Sequence, residues 1–136
     1  MNTFQELTVK FIVGCVGSRI LFSFLLQYSP EIILPALTLL CILISVGFGS
    51  FWMFGLRTER GAFDNKVWWK HLRILHAFFF MLCAWFLFQK KQYLAATVIL
   101  LDTSFGIGAY LIHHYKEGDL YKLMENVNVH KFLFQK

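Results

Sequence analysis

Two ionisable residues stand where an apolar sequence has least use for them. Arg19 lies in the middle of the apolar run 11–28, and Asp102 in the middle of the run 93–112. A charged side chain at the centre of a bilayer costs at least ~2.5–3.5 kcal/mol on insertion scales. Counted from the same membrane face, both lie about 8–10 residues deep, or ~12–15 Å at the helical rise. Opposite charges at one depth predict an Arg19–Asp102 ion pair, within one chain or across an oligomer contact. Its simplest role is to pin the first apolar helix against the fourth. The alternative is a gate or proton relay, for which Arg is a poor partner because it keeps its proton in proteins.

Histidine supplies the other candidate chemistry. His71 and His76 open the third apolar run, and His113 and His114 close the fourth. With Arg73 they are expected to form a polar cluster near the cytoplasmic face. Imidazoles on neighbouring helices could hold a haem iron or a zinc ion. Against this, His76 should sit roughly 10 Å deeper than His113 by helical rise, whereas two ligands of one iron must be nearly level. The sequence also lacks Cys-x-x-Cys-His and any Cys/His spacing of the zinc type. Interfacial, hydrogen-bonded histidines without metal or other cofactor are therefore expected, and His130 has no partner that the sequence identifies. Cys15, Cys41 and Cys83 all fall in apolar runs, and an odd number of such thiols reads as small hydrophobes rather than a disulfide framework.

Familiar enzyme constellations are missing. No Lys falls inside an apolar run, which excludes an intramembrane retinal Schiff base. No Ser-His-Asp or nucleophile-elbow pattern occurs, and Gly47-x-Gly49 lacks the strand and the Lys of a phosphate loop. A catalytic site would have to be assembled from Arg19, Asp102, Arg73 and His76, so a non-enzymatic protein is expected.

The elements that must position these residues follow from composition. Of 136 residues, 57% are hydrophobic and 15% charged, and sixteen are Phe. Soluble domains carry about 25% charged residues. Four crossings of ~20 residues would take up roughly 80 residues, leaving short turns, one connector and a tail. The expected fold is all-α: a single membrane domain over 1–136, an antiparallel four-transmembrane-helix bundle with an amphipathic C-terminal surface helix. Spans are expected at about 11–28, 32–54, 69–88 and 93–112, with the surface helix at about 119–128, where Leu120, Leu123, Met124 and Val127 form an apolar stripe.

Local signals set the ends. Thr3-Phe4-Gln5-Glu6 has the spacing of a capping box, and no removable signal peptide is expected. Ser29, Pro30 and Glu31 read as N-cap, first helical residue and first-turn acid of the second helix, joined to the first as an antiparallel hairpin. Trp68-Trp69 should lie at the headgroup level. Small and polar faces, Cys15/Arg19/Ser23, Thr38/Cys41/Ser45 and Asp102/Gly106/Ala109/His113, should point inward, since small residues let helix backbones approach. Phe78, Phe79, Phe86 and Phe88 are expected largely on lipid or in the core.

Net charge is +5, and its distribution orients the chain. Lys10, Arg57, Arg60, Lys66, Lys70, Arg73, Lys116, Lys122, Lys131 and Lys136 lie on the side of both termini, and only Lys90 and Lys91 on the other. The positive-inside rule places both termini in the cytoplasm. A folded basic module for nucleic acid is absent, so the expected partners are the lipid bilayer and further membrane subunits, most simply copies of the same chain.

Two stretches carry a resemblance. Gly55-Leu56-Arg57 leading to Val67-Trp68-Trp69-Lys70-His71-Leu72-Arg73-Ile74-Leu75-His76, and Leu100-Leu101-Asp102-Thr103 leading to His113-His114, resemble small multi-span membrane proteins of large DNA viruses of algae and protists. In those, a Trp-Trp-x-x-Leu-Arg-x-x-His run opens one helix and an Asp-containing helix ends in His-His. This chain has Ile74, Leu75 and Ala77 around the His where those proteins favour Pro or small residues. The resemblance implies a viral origin and no activity. The expected function is a non-enzymatic structural or assembly component of a viral or virus-modified membrane. Its alternatives are a small oligomeric ion or proton channel lined by Arg19, Asp102 and His76, and a haem-binding anchor subunit of a redox complex.

Overall fold

The computed structural model describes residues 3–56 and 68–122. Expectations for the connector 57–67 and for the surface helix beyond Lys122 lie outside them, as does the side chain of Thr3 in the expected capping box. Within the described residues, every regular element is helical. Helix α1 (Thr3–Lys10), a π-helical segment (Phe11–Gly17) and α2 (Ser18–Tyr28) follow one another without a break. A 3-10 turn, Glu31–Ile33, leads into α3 (Leu34–Met53), and α4 (Leu72–Phe88) and α5 (Gln92–Lys116) complete the order.

Three helices are long and apolar enough to cross a membrane: Phe4–Tyr28, Glu31–Met53 and Gln92–Lys116. The apolar helix α4 has 17 residues, about 25 Å at the helical rise, a little less than a typical ~30 Å hydrocarbon core. It begins at Leu72 rather than at Trp69 because the preceding residues form a turn, closed by Leu72 N–H donating to the Trp69 carbonyl at 2.9 Å. Both indoles have other partners. Trp68 stacks on His113 with ring centroids 4.4 Å apart, and Trp69 lies 5.1 Å from the Arg73 guanidinium carbon.

The turns differ from the sequence expectation in instructive ways. Ser29 does not cap the second helix: its hydroxyl donates back to the Leu25 carbonyl, closing α2, and Pro30 takes the N-cap position of the 3-10 turn. Glu6 pairs with Lys10 Nζ at 2.5 Å, one turn on. On the opposite end of the helices, Gln92 Nε2 donates to the Ser29 carbonyl at 2.5 Å and Lys90 Nζ lies 2.7 Å from Glu31, so the two tight turns are tied to each other. Lys90 has φ 59, a left-handed conformation that L side chains rarely adopt. Gly118, φ 70, ends α5. The Asp119 N–H reaches the His114 carbonyl at 3.0 Å and the Gly118 N–H the Tyr115 carbonyl at 3.2 Å, the pairing of a Schellman motif.

Packing is pairwise and not in chain order. Helix α3 lies along α4, while α5 lies along both α4 and α2. The first helix thus packs chiefly on the last, and it has little contact with α3 beyond the two-residue turn at 29–30. Between them is a core of Leu26, Leu37, Phe80, Leu87 and Ile99, all buried. Phe79 is buried as well, whereas Phe78 and Phe88 are exposed. The outward faces also expose Val13, Leu21, Phe24, Leu43, Met53 and Leu111. So broad an apolar surface is compatible with a membrane protein and unlike the surface of a soluble monomer.

Candidate functional site

The polar residues meet where α2, α4 and α5 come together. Asp102 is fully buried, at 0% exposure, and offers one carboxylate oxygen to each of two helices. Arg19 Nε, from α2, lies 2.9 Å from Asp102 Oδ2. His76 Nδ1, from α4, lies 2.5 Å from Asp102 Oδ1. The Arg19 contact is close in distance, but its N–H does not point along the line to the oxygen, so neither Arg19 Nε nor Asp102 Oδ2 completes an aligned hydrogen bond. We read it as an ion pair held by charge rather than by hydrogen-bond direction. A second Arg19 nitrogen reaches the Cys15 carbonyl one turn back, at 3.4 Å.

Local winding helps bring Arg19 round to α5. Residues spaced by four in an α-helix drift about 40° per step. Wider i→i+5 winding over Phe11–Gly17 reduces that drift, so Phe11, Cys15 and Arg19 follow one face. Phe11 stacks on Tyr110 of α5, centroids 4.2 Å apart, and Arg19 reaches Asp102 two turns farther along. The Thr8 hydroxyl and the Tyr110 phenol are 2.7 Å apart, fixing the same seam one turn before Phe11.

His76 is buried at 6% exposure and packed from two more sides. The Phe48 ring of α3 lies 5.4 Å from it. On the α5 side, a Cβ added at Gly106 would sit 3.9 Å from His76 Cε1, so the glycine leaves room for the imidazole at van der Waals distance. A carboxylate accepts only, so the Nδ1–H donates to Asp102 and Nε2 is the nitrogen on the far edge of the ring. Among the described residues, Nε2 makes no hydrogen bond. A carboxylate-oriented imidazole of this kind can take up a proton or offer a ligand nitrogen. Among the described residues, no group of three or more His, Cys, Asp or Glu is arranged to hold a metal ion.

The five residues expected as one cluster near the cytoplasmic face occupy separate places. His76 belongs with Asp102 and Arg19. Arg73 is buried and caps the end of α3, donating to the Leu56 carbonyl at 2.6 Å with its guanidinium carbon 5.6 Å from the Phe51 ring. His71 is exposed. His113 and His114 lie in an aromatic layer: Trp68 covers His113, while Tyr110 and Phe4 approach His114 at 4.4 and 4.8 Å. His76 meets α5 at Asp102 and Gly106, about two to three turns before His113, so it does not join the histidines at the end of that helix.

Beyond this layer, His114 Nδ1 lies 3.4 Å and Lys122 Nζ 2.5 Å from the Asp119 carboxylate. Lys122, hydrogen-bonded to it, holds Asp119 below the usual carboxylate range, with His114 adding to the effect. Two contacts escaped the sequence reading. The Cys41 and Cys83 sulfurs are 3.6 Å apart, and Ser45 Oγ donates to the Ala77 carbonyl at 2.7 Å. Their signal was present as the small-residue face Thr38/Cys41/Ser45, but nothing in the sequence said which helix it would meet. Neither a scan of protein-family models nor searches of curated proteins and of solved structures find a match to this chain.

Proposed function

We propose that the chain is a non-enzymatic integral membrane component, crossing the bilayer four times with both termini on the cytoplasmic side, in which Arg19, Asp102 and His76 lock three spans into one unit. The observation that carries this reading is the position of Asp102 at zero exposure: one oxygen is hydrogen-bonded to His76 of α4 and the other lies 2.9 Å from Arg19 of α2. An unpaired ion in the hydrocarbon region is costly, so any displacement of α2 or α4 from α5 would be opposed. The rigid unit then presents its apolar outer faces to lipid and to further copies, as an assembly component of a membrane requires. The resemblance of the Trp68–His76 and Asp102–His114 stretches to viral multi-span proteins supports placing it in a viral or virus-modified membrane.

One observation favours a second reading, a proton pathway: the free Nε2 edge of His76, backed by a carboxylate, is the arrangement of a proton-accepting imidazole. Reconstitution in liposomes loaded with a pH-sensitive dye separates the two. The assembly reading expects a discrete oligomer by light scattering in mild detergent and no proton flux above that of empty liposomes. Flux that disappears in His76→Phe would replace it with the proton pathway. Single-Cys labelling of sealed vesicles checks the topology, with positions 62 and 91 expected to label from opposite sides.

A further inference from the structure

The seam between α3 and α4 contains a pair of thiols that the charged assembly leaves unused. Cys41 and Cys83 are both at 0% exposure, both free thiols, and their sulfurs lie in van der Waals contact at 3.6 Å. Contacts on one side fix the register of the seam. One turn beyond Cys41, Ser45 donates to the Ala77 carbonyl, and after it Phe48 meets His76. A disulfide needs a sulfur separation of about 2.05 Å. A bond between them requires a further ~1.5 Å of approach. Cys15 is elsewhere, on the first helix beside Arg19.

Two kinds of occupant suit a close dithiol: a soft cation held by two thiolates, or a covalent bond between the sulfurs. Charge and coordination decide between them. Two thiolates around a monovalent cation leave net negative charge in an apolar core; around a divalent one they are neutral, but among the described residues no third His, Cys, Asp or Glu is placed to complete its coordination. A disulfide is neutral and needs no third group. The sulfurs have no exposure on the outer surface, so the oxidant must be apolar and must pass from the lipid between α3 and α4 as the helices part; this requirement rests on the membrane reading.

We propose that Cys41 and Cys83 are a modification site, oxidised by lipid-soluble organic hydroperoxides to a disulfide that joins α3 to α4. In the first step one sulfur attacks the peroxide, the O–O bond breaks, the sulfur gains an S–OH, and its proton leaves with the alcohol. In the second the other thiol attacks that sulfur, the S–S bond forms, and hydroxide departs with the second thiol proton as water. Two electrons from the two thiols reduce one peroxide bond.

The test uses the full chain in liposomes treated with cumene hydroperoxide. Free thiols are then blocked in denaturant and the sample is divided for peptide mapping with and without reduction. The expected result is a Cys41–Cys83 linked peptide that dithiothreitol abolishes, formed equally in Cys15→Ser. Cys41→Ser should yield no linked monomer and a singly oxidised Cys83. Linkage chiefly through Cys15, or Cys41 and Cys83 still reduced when most of the Cys15 has been oxidised, would overturn the proposal. Flotation of the same liposomes on a density gradient reports membrane insertion separately, so a chain that fails to float condemns the membrane reading and the choice of oxidant. In that case linkage is read in detergent with copper phenanthroline, and its absence there would overturn the pairing itself.

Discussion

Asp102 joins His76 to Arg19: its Oδ1 lies 2.5 Å from His76 Nδ1, while Arg19 stands 2.9 Å from the other oxygen. The carboxylate is therefore the hub, and the two basic residues act on each other through it. Remove the hub and two helices lose their polar anchor together. Remove either basic partner and the other still holds one oxygen. This asymmetry orders the mutational outcomes.

Breaking a buried pair from one side strands the other charge, at about 3–5 kcal/mol, whereas replacing both members with apolar residues can be near neutral. Arg19→Leu and Asp102→Leu should each unfold well below the wild type on heating in one detergent. The double variant should recover most of the loss, leaving a residue from the abandoned His76 N–H. Strong non-additivity is the expected signature of contact. Additive losses would show that the two side chains do not share an interaction.

His76→Phe keeps an aromatic ring against Phe48 but removes the donor to Asp102. A buried acceptor left without its partner costs about 1–3 kcal/mol, and that is the expected destabilisation by thermal unfolding. In an Asp102→Leu background the same substitution should cost nothing and return part of the loss, because it removes the N–H that the missing acceptor left unpaired. An equal cost in both backgrounds would assign His76 to packing alone. Gly106→Ala should be tolerated, given the 3.9 Å clearance to the imidazole.

Much of this was legible in the sequence, for reasons that can be located. Charge is so costly in an apolar run that Arg19 and Asp102 announce themselves, and helical rise puts them at one depth. The same rise separates His76 from His113 and places it deeper, near Gly106, yet residue type tempted His76 into a group with the other histidines. Partner choice was legible only where charge marked it: the Arg19–Asp102 pair sets the first helix against α5, while the contacts that Thr8 and Phe11 add with Tyr110 carry no such signal. Apolar stripes on α3 and α4 are nearly interchangeable, so the Cys41–Cys83 contact depends on a register that only the folded chain fixes.

The turn before α5 offers a stabilising change. Lys90, at φ 59, sits where an L side chain costs about 1–2 kcal/mol. Its contact with Glu31 is exposed and screened by solvent, so it returns little. Lys90→Gly should therefore leave stability unchanged or raise it by up to about 1 kcal/mol. Lys90→Ala keeps the strained backbone, loses the ion pair and should be less stable than Lys90→Gly. The comparison of the two variants by denaturant midpoint is the measurement, and an Ala variant as stable as the Gly variant would show that the left-handed turn is absent.

The end of α5 should respond to acid. Lys122 first, and then His114, hold the Asp119 carboxyl below its ordinary range, and an unfolded Asp titrates near 3.9. Between the two values the unfolded chain binds more protons than the folded one, so stability there rises with pH. The contribution of Asp119 is fully present above the unfolded value and is lost as pH falls through the folded one. Carbon NMR of the Asp119 carboxyl should show its midpoint displaced downward. Amide exchange at Asp119, whose N–H bonds the His114 carbonyl at 3.0 Å, should accelerate over the same interval, after correction for the intrinsic pH dependence. In Asp119→Asn that acid-dependent step should vanish. If it persists, the titrating group is another carboxylate, and the Lys122–Asp119–His114 contacts do not close the helix in solution.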